Sequence, residues 1–174
     1  MGDAEQSDDL TMMAIQYIKQ QSDVLMRKSI VLQNDMQEVS RLNVFVEEVC
    51  ETVGFDHDVT MEIKAAVEEA VVNVMKYAYP LGQHGDVTIE AASNEKRLKF
   101  TIIDQGRPFD PTVQTAVDTT LFDTERRIGG QGIQIMRQNM DSINYERIDK
   151  LNVLTLRKKI IQPAAFTKLS SESS

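Results

Sequence analysis

Glu69 and Asn73 stand four residues apart in Glu68-Glu69-Ala70-Val71-Val72-Asn73-Val74-Met75-Lys76-Tyr77-Ala78-Tyr79. That spacing puts two side chains one above the other on a helix face. A carboxylate there can take a proton from a hydroxyl or a water. A carboxamide oxygen beside it can hold Mg²⁺, a hard cation that prefers oxygen ligands and bridges to phosphates. Taken alone, the pair reads as a solvated helix face, since Glu-x-x-x-Asn is common. Two further stretches change its meaning. Ile102-Ile103-Asp104-Gln105-Gly106 is a strand ending in Asp-x-Gly. A carboxylate closing an apolar strand is costly to bury without partners, and Gly106, lacking Cβ, lets the backbone pass close to another group. The plain alternative is a strand-end turn. Gly129-Gly130-Gln131-Gly132 leads into a helix start, where unpaired amides attract anions and glycine lets them approach phosphate oxygens. Arg126 and Arg127 immediately precede it. They are either phosphate contacts on a closing loop or solvated surface charge.

The elements that must position these residues follow from periodicity. Ile63, Val67, Ala70, Val71, Val74 and Ala78 form an apolar stripe opposite Glu69 and Asn73, and predict a helix over 59–79. Asp56 or Asp58 caps it and Pro80 stops it. Before it, Val24–Leu32 reads as a strand. A helix capped by Asn34 or Asp35 then runs to about Val53, with Gly54 at its C′ position. After it, Asp86–Ala92 and Arg97–Asp104 alternate as two strands of a hairpin joined through Ser93-Asn94-Glu95-Lys96. Gln105–Gly130 loses all period and reads as a long functional loop. A helix over 132–140 and two strands, Ser142–Ile148 and Leu151–Ile161, close the domain. Helices grouped beside hairpin strands predict an α+β two-layer sandwich, a mixed and mostly antiparallel sheet with helices on one face, rather than a doubly wound Rossmann fold. On the central helix, Glu68 points a quarter-turn away from Glu69, Lys76 reads as an exposed lysine, and Glu62 is too remote to join the site.

At 174 residues, 41% of them apolar, the chain suits one soluble domain. Residues 1–22 are expected to be an acidic tail plus a short amphipathic helix over Leu10–Gln21, 23–161 the folded domain, and 162–174 a disordered tail. No apolar run reaches the length of a membrane span, and the acidic start is not a secretory signal, so the protein is expected in the cytoplasm without membrane contact. The formal net charge of −8 argues against general nucleic-acid binding. Cys50 is the single cysteine and reads as a small buried hydrophobe; with only His57 and His84 beside it there is no zinc constellation.

In order and spacing, the Glu69/Asn73, Asp104/Gly106 and Gly129-Gly130-Gln131-Gly132 boxes resemble the nucleotide-binding boxes of the GHKL ATPases. Within these, the chain is most similar to small bacterial anti-sigma factors that are serine/threonine kinases. Pro108-Phe109-Asp110-Pro111 matches the continuation seen in that group, with Phe109 read as a core plug. The resemblance covers about 24–160 and implies the following roles. Asp104 accepts from the exocyclic amine of adenine, with Gly106 beside the base. Gly129, Gly130 and Gly132, with Arg126 and Arg127, hold the phosphates. Asn73 holds Mg²⁺ and Glu69 is the base for an attacking hydroxyl. It also implies ATP as cofactor, a sigma factor and an antagonist (anti-anti-sigma) protein as partners, and a homodimer. Tyr77 stands where that group often has His. Two rival readings are a histidine-kinase catalytic domain and a nucleotide-gated clamp that transfers nothing. His57-Asp58 has a faint likeness to a phosphoacceptor site but lies at a helix entrance, without room before it for a dimerising hairpin. Retention of Glu69 favours catalysis over the clamp.

Overall fold

The structure, a computed structural model, describes residues 24–112 and 124–161, with side chains from 132 onward in the second stretch. The expected helix over Leu10–Gln21 and the tail over 162–174 lie outside the described residues.

Local chemistry sets each boundary. Strand β1 is Met26–Gln33. A 3-10 turn, Met36–Glu38, follows, capped by Asp35, whose Oδ1 accepts the Gln37 amide at 2.9 Å. Helix α1 runs Val39–Val53 and ends at Gly54, whose φ of 90° is left-handed and whose N–H donates to the carbonyls of Cys50 and Glu51. Of the two predicted caps for the central helix, Asp56 is the one used. Its Oδ1 accepts the Val59 amide at 2.8 Å, and α2 spans His57–Tyr77. Strands β2, Asp86–Ser93, and β3, Arg97–Asp104, form the expected hairpin. Asn94 fixes its turn: one Oδ1 accepts the amides of Lys96 and Arg97, each at 2.9 Å. Helix α3 spans Thr124–Asn139, and strands β4, Ser142–Ile148, and β5, Leu151–Lys159, turn through Asp149 and Lys150, both at positive φ.

The five strands lie in the order β1-β2-β3-β5-β4. Every neighbouring pair is antiparallel, so the sheet expected to be mixed is antiparallel throughout among the described strands. The architecture is the expected α+β sandwich. Strand alternation explains its single core. Val87, Ile89 and Ala91 of β2, Leu98, Phe100 and Ile102 of β3, and Leu156 of β5 face inward with no exposure. They meet Leu42, Val46 and Val49 of α1 and Ile63, Val67 and Val71 of α2, all equally buried. Truncating Phe100 to Ala there would cost about 3–5 kcal/mol. Cys50 is buried in the same layer, and loss of water around it pushes its thiol up to about 11.

The long loop is shorter than its sequence suggests. Gln105–Gly130 reads as aperiodic, yet α3 begins at Thr124, well before the expected start at Gly132. Gly129, Gly130 and Gly132 therefore sit inside a helix instead of at its opening. Their amides fall beyond the first four of α3, which are the ones without helical partners. Packing of α3 on α2 outweighs the roughly 1 kcal/mol that each interior glycine costs a helix.

Candidate functional site

The C-terminal half of α2, the exit of β3 and the start of β5 enclose a cleft of about 420 Å³, including its open mouth. Ala70, Asn73, Asp104, Met136, Asn152 and Leu154 are among its walls. Asn73 and Asp104, brought together from separate elements, are both buried, at 9% and 4% exposure. Glu69 is half-buried one turn before Asn73. Glu62 is taken out of the site by a 2.9 Å ion pair with Lys158, and Lys76 is exposed, both as expected.

Asp104 is held by its own turn and by β5. Its Oδ1 accepts the Gly106 amide at 2.8 Å and the Asn152 Nδ2 at 2.8 Å. Asn152 is held in turn. Its Nδ2 also donates to the Arg107 carbonyl at 2.9 Å, while its Oδ1 accepts from the Tyr145 hydroxyl and from Arg147 Nη1, both at 2.7 Å. Arg147 Nη1 reaches on to the Gly106 carbonyl at 3.0 Å. Chains of this kind are strong when every member is paired, because the surrounding dielectric is low. This one leaves Asp104 Oδ2 without a hydrogen bond among the described residues.

Gly106 is required by the packing of the fold itself. A Cβ there would fall 2.4 Å from Ala78 Cβ and 2.5 Å from the Ala78 carbonyl oxygen. The adjacent Arg107 amide donates to that same carbonyl at 2.7 Å. The absent side chain thus docks the exit of β3 onto the end of α2. Tyr79 makes a second tie. Its hydroxyl donates to the Asp86 carbonyl at 2.9 Å and accepts the Gln105 amide at 3.1 Å, and burial raises its pKa.

At the other end of the cleft the contacts are of a different kind. Gly132 of α3 lies against Glu69 so closely that an added Cβ would sit 1.8 Å from Oε1. Among the described residues the side chains of Glu69 and Asn73 make no hydrogen bond within the fold. The side chains of Arg126 and Arg127 lie outside the described residues. Phe109, expected as a core plug, is instead 47% exposed and lines the cleft with Tyr77, itself 40% exposed. Among the described residues no apolar layer covers the loop there, and the ring lies at the mouth.

Asn152, Tyr145 and Arg147 escaped the sequence reading. One signal was present. Strand parity places Asn152 inward with Leu154 and Leu156, and an amide at an inward position of an apolar strand must have a partner.

Chemically, this geometry offers a buried carboxylate acceptor, a carboxamide with no hydrogen bond among the described residues, and a half-buried carboxylate one turn before it. The profile of the Histidine kinase-like ATPase domain family matches residues 32–158. The serine-protein kinase RsbW of Bacillus subtilis is 28% identical over 103 residues, covering 56% of this chain and 64% of that protein. The serine/threonine-protein kinase BtrW of Bordetella bronchiseptica is 27% identical over 89 residues, covering 51% and 63%. The match thus spans less than two thirds of either relative. Two solved structures share the fold. The RsbU and RsbW domains of a Mycobacterium tuberculosis protein align with a TM-score of 0.58 at 16% identity, over 80% of this chain and 34% of that one. The Pseudomonas aeruginosa SiaB–SiaC complex aligns at 0.51 and 13% identity, over 88% and 99%. With the antiparallel sheet, the cleft between it and α2, and a profile match over most of its length, the chain belongs to the histidine kinase-like ATPase domain family, of the GHKL type.

Proposed function

We propose that this protein is an ATP-dependent serine/threonine kinase acting as an anti-sigma factor, which binds a sigma factor and phosphorylates a Ser or Thr of an antagonist protein. The observation that carries the reading is the meeting of Asn73 and Asp104 in one cleft, with Glu69 a helical turn away. The names of the relatives, serine-protein kinases, support it. Cytoplasmic residence and a homodimer belong to the same reading.

In this reading Asp104 Oδ2 accepts from the exocyclic amine of adenine, while guanine would present a carbonyl to a carboxylate and be rejected. The Asn152 clamp holds the carboxylate still, which lowers the cost of ordering it when nucleotide enters. Asn73 fits a Mg²⁺ role, because its amide makes no hydrogen bond among the described residues. No group of three acidic or His/Cys residues that could cage an ion occurs among them either. Sites for this ion commonly draw on few protein ligands together with water and substrate phosphates, so the single carboxamide oxygen of Asn73 would be a sufficient protein ligand. When bound the ion neutralises charge across the phosphates. Glu69 then receives the proton of the attacking hydroxyl, provided Gly132 withdraws from it. Gly129, Gly130, Gly132, Arg126 and Arg127 are proposed to line the phosphates once the first turns of α3 have moved.

The seat of Gly132 on Glu69 favours one second reading, a nucleotide-gated clamp in which the carboxylate stays covered. One experiment separates the two. Calorimetry with Mg-ATP and Mg-GTP is combined with transfer of labelled γ-phosphate to proteins captured by this chain. The kinase reading expects heat with ATP alone and a labelled serine or threonine. Heat without label selects the clamp, and no heat with ATP ends both.

A further inference from the structure

The face of the sheet away from the helices carries a block of like charge. Register places Arg97 of β3 directly opposite Lys159 of β5, and Lys99 opposite Arg157. Alternation points all four away from the core, since Leu98 and Phe100 between them are fully buried. Arg27 of β1 lies in the same cross-strand row, paired through Ala92 with Lys99. Directly opposed like charges destabilise a sheet. None of the five cations has a carboxylate within ion-pair distance among the described residues, where the three ion pairs all lie elsewhere. On this face Glu90 stands one row away, opposite Thr101, and Asp141 accepts the Lys159 amide. The whole chain nonetheless carries a formal net charge of −8. Its field repels any free polyanion at long range, so the block fits an acidic segment already tethered to the chain.

The chain supplies one. The first nine residues hold Asp3, Glu5, Asp8 and Asp9 without a Lys or Arg. The described structure begins at Val24, and Arg27 follows within β1, at the end of the sheet where the block lies. Residues 10–24 would span about 20 Å even if wholly helical at 1.5 Å per residue. At about 4.8 Å between strands, the block is roughly 15 Å wide. We propose that the acidic stretch Asp3–Asp9 docks on the Arg27, Arg97, Lys99, Arg157 and Lys159 block of the same chain, making the free sheet face an intramolecular binding surface for an acidic segment. The inference is independent of the ATP site.

Carbodiimide cross-linking of the full chain tests it, since the reagent joins an amine to a carboxylate only where they touch. Mass spectrometry of an equal mixture of ¹⁴N- and ¹⁵N-labelled protein assigns each link. The expected result is Lys99 or Lys159 joined to Asp3, Glu5, Asp8 or Asp9 within one isotope, falling more than about tenfold in 1 M salt, where screening acts within about 3 Å. Mixed-isotope links would make a second copy the occupant and overturn the proposal. So would an absence of tail links while Glu90 or Asp141 still react. Melting temperatures give an independent check. In a D3N/E5Q/D8N/D9N chain, Lys99→Gln relieves repulsion and raises the melting temperature. In the native chain it removes a partner and does not. Equal effects in both backgrounds would overturn the proposal.

Discussion

The two ends of the cleft are built on opposite plans. At the Asp104 end, each polar group is tied to another: Asp104 to Gly106 and Asn152, Asn152 to Tyr145 and Arg147, Tyr79 to Asp86 and Gln105. At the Glu69 end the carboxylate and the Asn73 amide make no hydrogen bond among the described residues, and Gly132 lies directly against the carboxylate. A paired network resists motion, because every member that leaves abandons a buried partner. The contact of a glycine with a carboxylate contains no hydrogen bond that motion would break. Under the proposed function the contrast would give recognition to the hydrogen-bonded end and rearrangement to the other, and it can be broken residue by residue.

The largest expected effect is at the Glu69 end. Glu69→Ala should lower phosphoryl transfer by about 10²–10⁴-fold, the usual contribution of a positioned base, while Mg-ATP binding measured by calorimetry stays near native. At the hydrogen-bonded end, Asp104→Ala should weaken ATP binding by about 1.5–3 kcal/mol, or roughly 10–150-fold in Kd, as for a hydrogen bond to a charged group. It should also lower the urea midpoint, because the Asn152 amide loses its acceptor. Asn152→Leu should cost about 1–3 kcal/mol in denaturant unfolding, since it strands the Tyr145 hydroxyl and Arg147. It should also loosen ATP binding without any contact of its own; native affinity in this variant would show that Asp104 needs no clamp.

Gly132→Ala sharpens the comparison from the other side. The three atoms nearest the added methyl all belong to the flexible Glu69 side chain, and alanine favours the helix by about 1 kcal/mol. Stability should therefore change by less than about 1 kcal/mol, while transfer falls with the displaced carboxylate. In a Glu69→Ala background the same change should be stabilising, which a double-mutant cycle by thermal unfolding reads directly. The smallest effect at neutral pH lies outside the cleft. Burial lifts the Cys50 thiol from 9.0 to about 11, so between these values the unfolded chain has lost the proton that the folded chain keeps. The contribution is complete below pH 9 and is lost as pH rises toward 11, by about 1.4 kcal/mol per unit. Tyr79, also raised by burial, acts in the same direction. Cys50→Ala should flatten this alkaline fall in a pH series of urea midpoints.

Much of this was legible in the chain before any coordinates. The strands were readable because their alternation is a local consequence of burying one face, and the α2 stripe because its apolar residues recur each turn. Glu69 and Asn73 share a helix face by spacing alone, and Asp104 announced itself as a charge closing an apolar strand. The start of α3 was misread because glycines are poor helix formers in isolation, whereas Gly132 is placed by its contact with Glu69, a residue distant in sequence. The same holds for Gly106, whose missing Cβ admits the Ala78 carbonyl, and for Asn152, whose partners come from β3 and β4. Sequence by itself determined the elements, the core-facing parity and the chemical types available to the site. Which of these groups are hydrogen-bonded to one another and which only lie in close contact was decided by the tertiary structure, because both depend on distances between segments that no local period encodes.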